Sequence, residues 1–447
     1  MMHRTHSSAL DFSKDLFSRL DVHWVDGKGM HRPTYSSQEE EAAQIIAQAG
    51  QSLGLRCLVD AAGNYYLFLE GDNPDLPAIV SGSHVDAVPH GGRYDGTAGI
   101  VCALAAIKAI VDEGKRPAQS VCVVVLRGEE SAWFGQVSIG SKLAAGTLNL
   151  EQLERLEHRE TGQSLGECME ALSYPAAALK TAKFPLFPLQ QTACFVEAHI
   201  EQGPVLEAHH TPLGIVTGIR GNIRYLRIVC TGEAGHTGTM PEELRKDAVR
   251  ACARLIVALE ERFLALREKE DIVFTFPIAR TSAEASMTTV PDRFELALEV
   301  RGLSETLLRK VPEMLAEALK DVGVMYNVSF AASDPIFSKP ALMNDQVRQQ
   351  LAAAAEACGL SYLSLPSGAG HDSSVFANVG VPCGMVFMRH SGISHRRDED
   401  MPLDYFVAAR ELLQKFFMNG YNSSKEIRNK SGFVEYLLEH GARQIQP

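Results

Sequence analysis

Residues 120–126 read SVCVVVL, a valine-dense run closed at both ends by polar residues. β-branched valines lose rotamer freedom in a helix and pack well on a pleated surface, so the run is a strand. It shows no polar alternation, so both of its faces must be covered, as they are in a parallel sheet flanked by helices. Residues 76–83 and 192–198 are apolar runs of the same kind, and residues 38–53 before them and 98–112 between them carry helical spacing. Strands that alternate with helices in this way specify an α/β layered domain with a largely parallel central sheet.

Near Thr211 the texture changes. Residues 223–230 read as a strand, 241–266 as a long amphipathic helix with Pro241 at its start, and 271–276 and 293–300 as strands. A helix is expected at 304–322 and a last strand at 324–330; 285–290 reads as a strand or a loop. The order β-α-β-β-α-β is that of a small split βαβ layer. After Pro340 the first texture returns, with a helix at 344–358 and apolar runs around Val375 and Met385. A chain of 447 residues accommodates two domains. The expected division is an α/β catalytic domain, 1–212 with 331–447, interrupted by an inserted domain at 213–330.

The net charge of −12, with no basic block, argues against a nucleic-acid partner. No stretch approaches the about 18 consecutive apolar residues of a membrane span. The opening residues MMHRTHSSALDFSKDLF lack an apolar core followed by a cleavage site, so a cytoplasmic protein is expected. The nine cysteines contain no CxxC pair and sit mostly in apolar runs, which reads as buried reduced thiols.

Five polar clusters follow the apolar strands, where open α/β sheets place their ligands. They are SGSHVD ending at Asp86 with HGGRYDG from His90; Arg127-Gly-Glu129-Glu130; EAHIEQG from Glu197; GHTGTMP from Gly235; and SGISH ending at His395. Among them His84, Asp95, Glu130, His199 and His395 offer three imidazoles and two carboxylates. Such a nitrogen and oxygen set suits Zn, Mn, Co or Ni. Five protein ligands are too many for one hydrolytic metal, which must keep an open position. If Asp95 bridges, two metals have three ligands each, at the separation of about 3.5–4 Å usual for two-metal sites. Glu129 is then left over beside the site as a general base and proton donor. The glycines around Asp95 let the backbone turn tightly enough to present the ligands. By contrast, His209-His210 reads as an exposed turn.

Taken together, SGSHVDAV…GGRYDG, EES, VEAHIEQGPVLE, GHTGTMP, SGAGHDS and GISH resemble the hydantoinase/carbamoylase branch of the M20 metallopeptidase-like amidohydrolases. That branch contains N-carbamoyl-L-amino acid hydrolases, β-ureidopropionases, allantoate amidohydrolases and ureidoglycolate amidohydrolases. The likeness runs from residue 32 to 401 in the family's motif order, and HIEQG followed by LE is its most specific piece. The resemblance implies a phosphorylase/hydrolase-like catalytic domain and an inserted ferredoxin-like domain that closes over the substrate and forms a homodimer. It implies two divalent metals, one on His84 and His199, the other on Glu130 and His395, with Asp95 between them. It makes Glu129 the catalytic base, Gln202 a substrate contact, His236 the group that polarises the scissile carbonyl, and Arg301 the clamp on a substrate carboxylate. A guanidinium suits that last task because its paired N–H groups match a carboxylate. His371 in GAGHDS is placed beside the substrate or in its supporting loop. The implied reaction is hydrolysis of a ureido C–N bond by a hydroxide held between the metals, yielding amine, carbon dioxide and ammonia.

The sequence departs from the family on the substrate side. Where the family carries Asn in a pattern like NVIPG, this chain has Thr288 in TTVPD, with fewer hydrogen-bonding atoms. The family's EEGSRF reads EESAWF here, placing Trp133 where Arg is usual, and HAGTTPM reads HTGTMPE. A second reading therefore keeps the metal site and changes the substrate to an N-acyl amino acid or dipeptide-type amide. Free ammonia among the products separates the two. A third reading, a binding protein without catalysis, is opposed by retention of all five ligands and Glu129. The segment 422–447 lies beyond the likeness and carries no assigned role.

Overall fold

The helix Thr97–Asp112 is apolar except for Thr97 at its start and the Lys108–Asp112 ion pair at its end, and all but a few of its residues are buried. A helix so nearly apolar all round has to lie inside a layered fold. It crosses strands Ala78–His84 and Thr192–Ile200 and lies beneath helices Ala9–Leu20 and Leu403–Asn419. Gly99 in its first turns fits against the Ala198 carbonyl so closely that a Cβ would overlap it, which brings the helix down onto the sheet.

The computed structural model describes residues 8–422 and 432–446. It divides into one unit running to Thr217 and resuming at Leu342, and a second unit, Gly218–Ala341. The first unit is built on a ten-stranded sheet. Its centre is parallel, in the order Cys383–Met388, Thr192–Ile200, Ala78–His84, Val121–Leu126. These four strands are buried at every position, as the unbroken apolar runs require. The flanks are antiparallel: Leu213–Ile219 lies on one side, and the hairpin Arg56–Val59 with Tyr65–Leu69 on the other. The sheet is therefore mixed rather than mainly parallel. The hairpin reverses at Asp60, whose carboxylate accepts the backbone N–H of Ala62 and of Asn64.

The described part of the C-terminal segment forms helix Phe433–Glu439 and strand Arg443–Gln444, which pairs with Arg56–Val59 and covers the outer edge of the sheet. Residues 423–431 of that segment lie outside the described residues.

The second unit is an antiparallel sheet in the order Ile272–Thr275, Arg293–Gly302, Gly221–Thr231, Ser329–Ala332. Helices Ala248–Arg267 and Val311–Tyr326 bury Leu255, Leu259, Phe263 and Leu315 against Ile223, Ile228, Leu298 and Val300. Burying each such side chain contributes about 1.5–3 kcal/mol. Its limits differ from 213–330 at both ends. Leu213–Ile219 begins in the first sheet, pairing with Cys383–Met388, whereas Ser329–Ala332 and Ile336–Ser338 both pair with Gly221–Thr231.

Several elements also differ from expectation. The long helix begins at Ala248, where Asp247 caps the Arg250 N–H, and Glu242–Leu244 is a separate short turn. The expected 304–322 helix is broken after Leu308 and restarts at Val311 with a proline in its first turn. Proline has no N–H for a continuing helix, so the break falls there. That helix runs on through Tyr326 and stops at Asn327 in the left-handed conformation, so 324–326 are helical and the strand starts at Ser329. Of 285–290 only Thr289–Val290 is extended, and the apolar run around Val375 is the helix Asp372–Asn378.

Candidate metal centre

The parallel strands of the first unit bring four of the five expected ligands to one end of the sheet. His84 is the last residue of its strand and His199 the last but one of the neighbouring strand. Glu130 follows Val121–Leu126, and His395 follows Cys383–Met388. Asp95, the fifth, precedes helix Thr97–Asp112. Between them Gly96 has φ +64, and a Cβ there would lie 2.5 Å from the His84 ring, so only glycine fits.

Ligand atoms of His84, Asp95 and His199 lie within 4.8 Å of one another, as do those of Asp95, Glu130 and His395, and of His84, Glu129 and Glu130. Asp95 belongs to the first two groups through different oxygens. Its Oδ1 is 3.2 Å from His199 Nε2 and 3.7 Å from His84 Nε2, whereas its Oδ2 is 3.2 Å from His395 Nε2. His395 Nε2 is in turn 3.4 Å from Glu130 Oε1. The carboxylate thus faces two triads at once, the disposition a bridging ligand needs.

The tautomers are set by the backbone. His84 Nδ1 is 3.1 Å from the Asp86 carbonyl and His199 Nδ1 is 2.8 Å from that of Ile200, so each Nδ1–H donates and each Nε2 is turned toward the site, where that of His199 also meets the Gly96 N–H at 3.1 Å. Asp95 Oδ1, buried and facing both nitrogens, has no hydrogen-bond donor. An orphaned carboxylate oxygen between imidazole nitrogens is the donor set of a divalent cation, and the residues fit one.

The electrostatics of the cluster agree with this. Burial would raise the Asp95 pKa, but the imidazoles of His199 and His395 hold it well below the usual carboxylate range. The hydrogen bond to Asp95 pushes His395 up to about 9. Burial would lower His84, yet Asp86 and the surrounding carboxylates hold it well above its ordinary value. Burial raises Glu129 well above the usual range, and burial with the charge of Asp95 takes Glu130 to about 7. The carboxylates draw protons onto the imidazoles, and a divalent cation would displace those protons.

The loop carrying Glu129 and Glu130 is held by side chains as well as by its strand. Asp86 Oδ1 accepts the Glu129 N–H at 3.0 Å, and Oδ2 accepts that of Glu130 at 3.1 Å and the Thr34 hydroxyl at 2.6 Å. Arg127, fully buried, pairs with Glu39 at 2.9 Å and Glu40 at 2.6 Å, and Glu39 accepts the Gly128 N–H.

The remaining expected residues divide between the units. Gln202 reaches the centre: its Nε2 donates to Asp95 Oδ2 at 2.9 Å and lies 3.3 Å from His395 Nε2. Both Gln202 and His395 have positive φ, 61° and 62°, a strained backbone of the kind found at functional sites. His371 is buried, its ring centroid 4.5 Å from that of His199 and its Nε2 3.0 Å from Ser367 Oγ. His236, Thr288 and Arg301 belong to the second unit. There His236 pairs with Thr289, the Thr237 N–H donates to the Thr288 carbonyl, and His236 and Thr288 are exposed. Arg301 pairs with Glu299 at 2.9 Å. Trp133 does not line a substrate pocket: it is 1% exposed, its indole N–H donates to the Ala87 carbonyl, and it stacks on His158. His209 and His210 lie in an exposed turn.

Three residues without an expected role join the centre: Asp86, Ser394 and Glu399. Glu399 Oε1 accepts the N–H groups of Tyr94 and Asp95, and its Oε2 accepts the Ser394 hydroxyl. Asp86 was readable from its spacing, two residues after His84 at a strand end, whereas Glu399 sits in RRDED, which reads as a solvated charge run.

Residues 80–419 match the model of peptidase family M20/M25/M40. The chain is 34% identical over 398 residues to an N-carbamoyl-L-amino-acid amidohydrolase of Paenarthrobacter aurescens, covering 87% of this chain and 92% of that protein. It is 31% identical over 372 residues to the allantoate amidohydrolase of Escherichia coli, covering 83% and 88%. Among solved structures it is similar to an amidase of the hydantoinase/carbamoylase family from Burkholderia multivorans, with a TM-score of 0.82, 25% identity, and coverage of 92% and 97%.

Proposed function

The chain belongs to peptidase family M20/M25/M40, and from that premise we propose that it is a metal-dependent amidohydrolase cleaving the ureido C–N bond of an N-carbamoyl amino acid or a related linear ureido acid. The observation that carries this reading is the double reach of Asp95, one oxygen toward His84 and His199 and the other toward His395. Two divalent ions fit that arrangement, Zn or Mn, with Co or Ni as further candidates. When bound they would supply positive charge for the scissile carbonyl and a water acidic enough to serve as nucleophile near neutral pH.

The chain's own residues do the rest. Glu129, grouped with His84 and Glu130 but outside both Asp95 triads, takes the proton of the attacking water and delivers it to the departing nitrogen as the C–N bond breaks. The amine leaves, and the remaining carbamate decomposes to carbon dioxide and ammonia. Asp86 holds the backbone that aims Glu129. Gln202 orients Asp95 and contacts substrate. His371 supports the His199 ring on the substrate side.

In the inserted unit, which we read as a ferredoxin-like lid and dimerisation domain, His236 donates to the carbonyl oxygen and Arg301 clamps the substrate carboxylate. Thr288 reads a smaller substrate group than the amide usual there would. Exposed Leu226, Val324 and Met325 on this unit suit a homodimer contact. The cytoplasm suits a chain whose nine cysteines are all free thiols.

The test is ammonia release by protein reconstituted with Zn or Mn, on N-carbamoyl-L-amino acids, N-carbamoyl-β-alanine, allantoate and ureidoglycolate, with N-acetyl amino acids followed by amine release. Ammonia from a ureido substrate, reduced by about 10²–10⁴-fold in Glu129→Gln with metal content unchanged, supports the proposal. Amine from acyl substrates and no ammonia from any ureido compound overturns it.

A further inference from the structure

Glu399 is 5% exposed within a stretch, Arg396 to Asp400, whose other members are exposed. A charged carboxylate leaves water only where fixed donors replace it. Here Oε1 accepts the backbone N–H of Tyr94 at 3.1 Å and of Asp95 at 3.2 Å. Oε2 accepts the Ser394 hydroxyl at 3.2 Å, and that hydroxyl lies 3.3 Å from Asp95 Oδ2. The carboxylate sits so close to Gly92 that a Cβ there would lie 2.2 Å from Oε1. Glu399 therefore clasps two loops that arrive from different strands: the one carrying Asp95, after Ala78–His84, and its own, which carries His395 after Cys383–Met388.

We propose that Glu399 is a positioning residue that assembles the Asp95–Glu130–His395 half of the centre, so that the second metal is bound only when this clasp is closed. The inference rests on the reading of the cluster as a two-metal site. His84 and His199 need no such clasp, because their strands and the backbone carbonyls at Nδ1 hold them. His395 is on a loop instead: its side chain, 49% exposed, meets Asp95, Glu130 and Gln202 of the centre itself, and its backbone is in the left-handed region. Removing the clasp leaves two backbone N–H groups at Tyr94 and Asp95 without their acceptor. It also frees Ser394, the neighbour of His395. The half built on strands should survive this, and the half built on loops should not.

The experiment loads wild type, Glu399→Ala, Glu399→Gln and His395→Ala with Zn, removes excess ion, and measures metal per folded chain by mass spectrometry together with chelator competition. Wild type is expected to retain two ions and Glu399→Ala one. Its second ion should bind about 10–100-fold more weakly, the usual effect of losing a partner that orients a ligand. His395→Ala should match it, and a variant carrying both Glu399→Ala and His395→Ala, measured alongside, should lose no more than either single one. Glu399→Gln keeps an acceptor for the two N–H groups and should recover part of the second ion; a merely space-filling role would make it fully equivalent to wild type. If Glu399→Ala does not fold, the Gln variant decides by the same two measurements. Full retention of both ions with unchanged competition in Glu399→Ala, or in Glu399→Gln where it stands in, overturns the inference alone. Wild type with one ion or none fails the two-metal reading, and this inference with it.

Discussion

The two halves of the candidate centre are made of similar ligands and held in different ways. His84 and His199 are on neighbouring parallel strands, almost fully buried, with each Nδ1 on a main-chain carbonyl. Glu130 and His395 are on loops, and the His395 side chain is half exposed. Sheet hydrogen bonds position the first pair as a by-product of folding. The second pair depends on dedicated carboxylates, Asp86 for the glutamate loop and Glu399 for the histidine loop. One cluster thus combines a site that the scaffold fixes with a site that side chains must fix, and Asp95 is common to both.

The largest effects are expected where the strand-borne half is cut. His199→Ala removes a buried candidate ligand whose place water cannot easily take. It should lose ureido hydrolysis by on the order of 10³-fold or more, since the charge stabilisation at stake is several kcal/mol. Metal content should fall below that of His395→Ala, because Asp95 Oδ1 loses the nearer of the two imidazoles that face it, His84 standing farther off at 3.7 Å. His395→Ala, at an exposed position, should retain one tightly held ion. Metal analysis beside the activity assay checks both. Equal metal loss in the two variants would break the contrast between the halves.

What could be read from the amino-acid sequence follows the same division. The strands that carry the centre were legible because burial on both faces writes an unbroken apolar run, as in SVCVVVL. The candidate ligands stood out because glycines, histidines and carboxylates at strand ends are poor material for a core. The hairpin Arg56–Val59 with Tyr65–Leu69 was not singled out: its strands are short, and RCLV carries no distinctive period. Trp133 looked like part of a substrate pocket because it replaces a charged residue, but a large indole with one N–H to satisfy found Ala87 and His158 and went inside. Glu399 was invisible for the opposite reason. Its neighbours Arg396 and Asp398 pair with each other in solvent, and nothing local separates the buried carboxylate from the exposed ones.

Asp86 provides a smaller and more diagnostic perturbation, since it serves both halves. Its Oδ1 lies 3.3 Å from His84 Nδ1 and accepts the Glu129 N–H, while Oδ2 takes the Glu130 N–H and the Thr34 hydroxyl. Asp86→Asn turns one acceptor into an NH₂ group that faces donors whichever way the amide is flipped. Affinity for both ions should fall by about 10–100-fold, the range for partners that orient ligands, with a loss of stability of about 1–3 kcal/mol for the unsatisfied groups. Chelator competition and thermal unfolding measure the two. A loss confined to one ion would show that Asp86 serves only one half.

Ser394→Ala should have the smallest effect, and it sharpens the comparison most. The hydroxyl is near both Glu399 Oε2 and Asp95 Oδ2, but it has one proton and can donate to only one of them at a time. The variant therefore loses a single hydrogen bond, about 1 kcal/mol, or roughly fivefold in affinity for the more weakly held ion. Ser394 is half-buried, so water can reach the position and return part of that bond. The two N–H groups on Glu399 Oε1 are untouched, and the Ser394 hydroxyl bonds are to Glu399 and Asp95 rather than to His84 or His199, so the tightly held ion should bind as before. Titration of the metal-free variant with Zn against a competing chelator resolves the two ions separately. A loss in Ser394→Ala as deep as that in Glu399→Ala would mean that the hydroxyl, and not the carboxylate grip on the Asp95 backbone, holds the loop-borne half together.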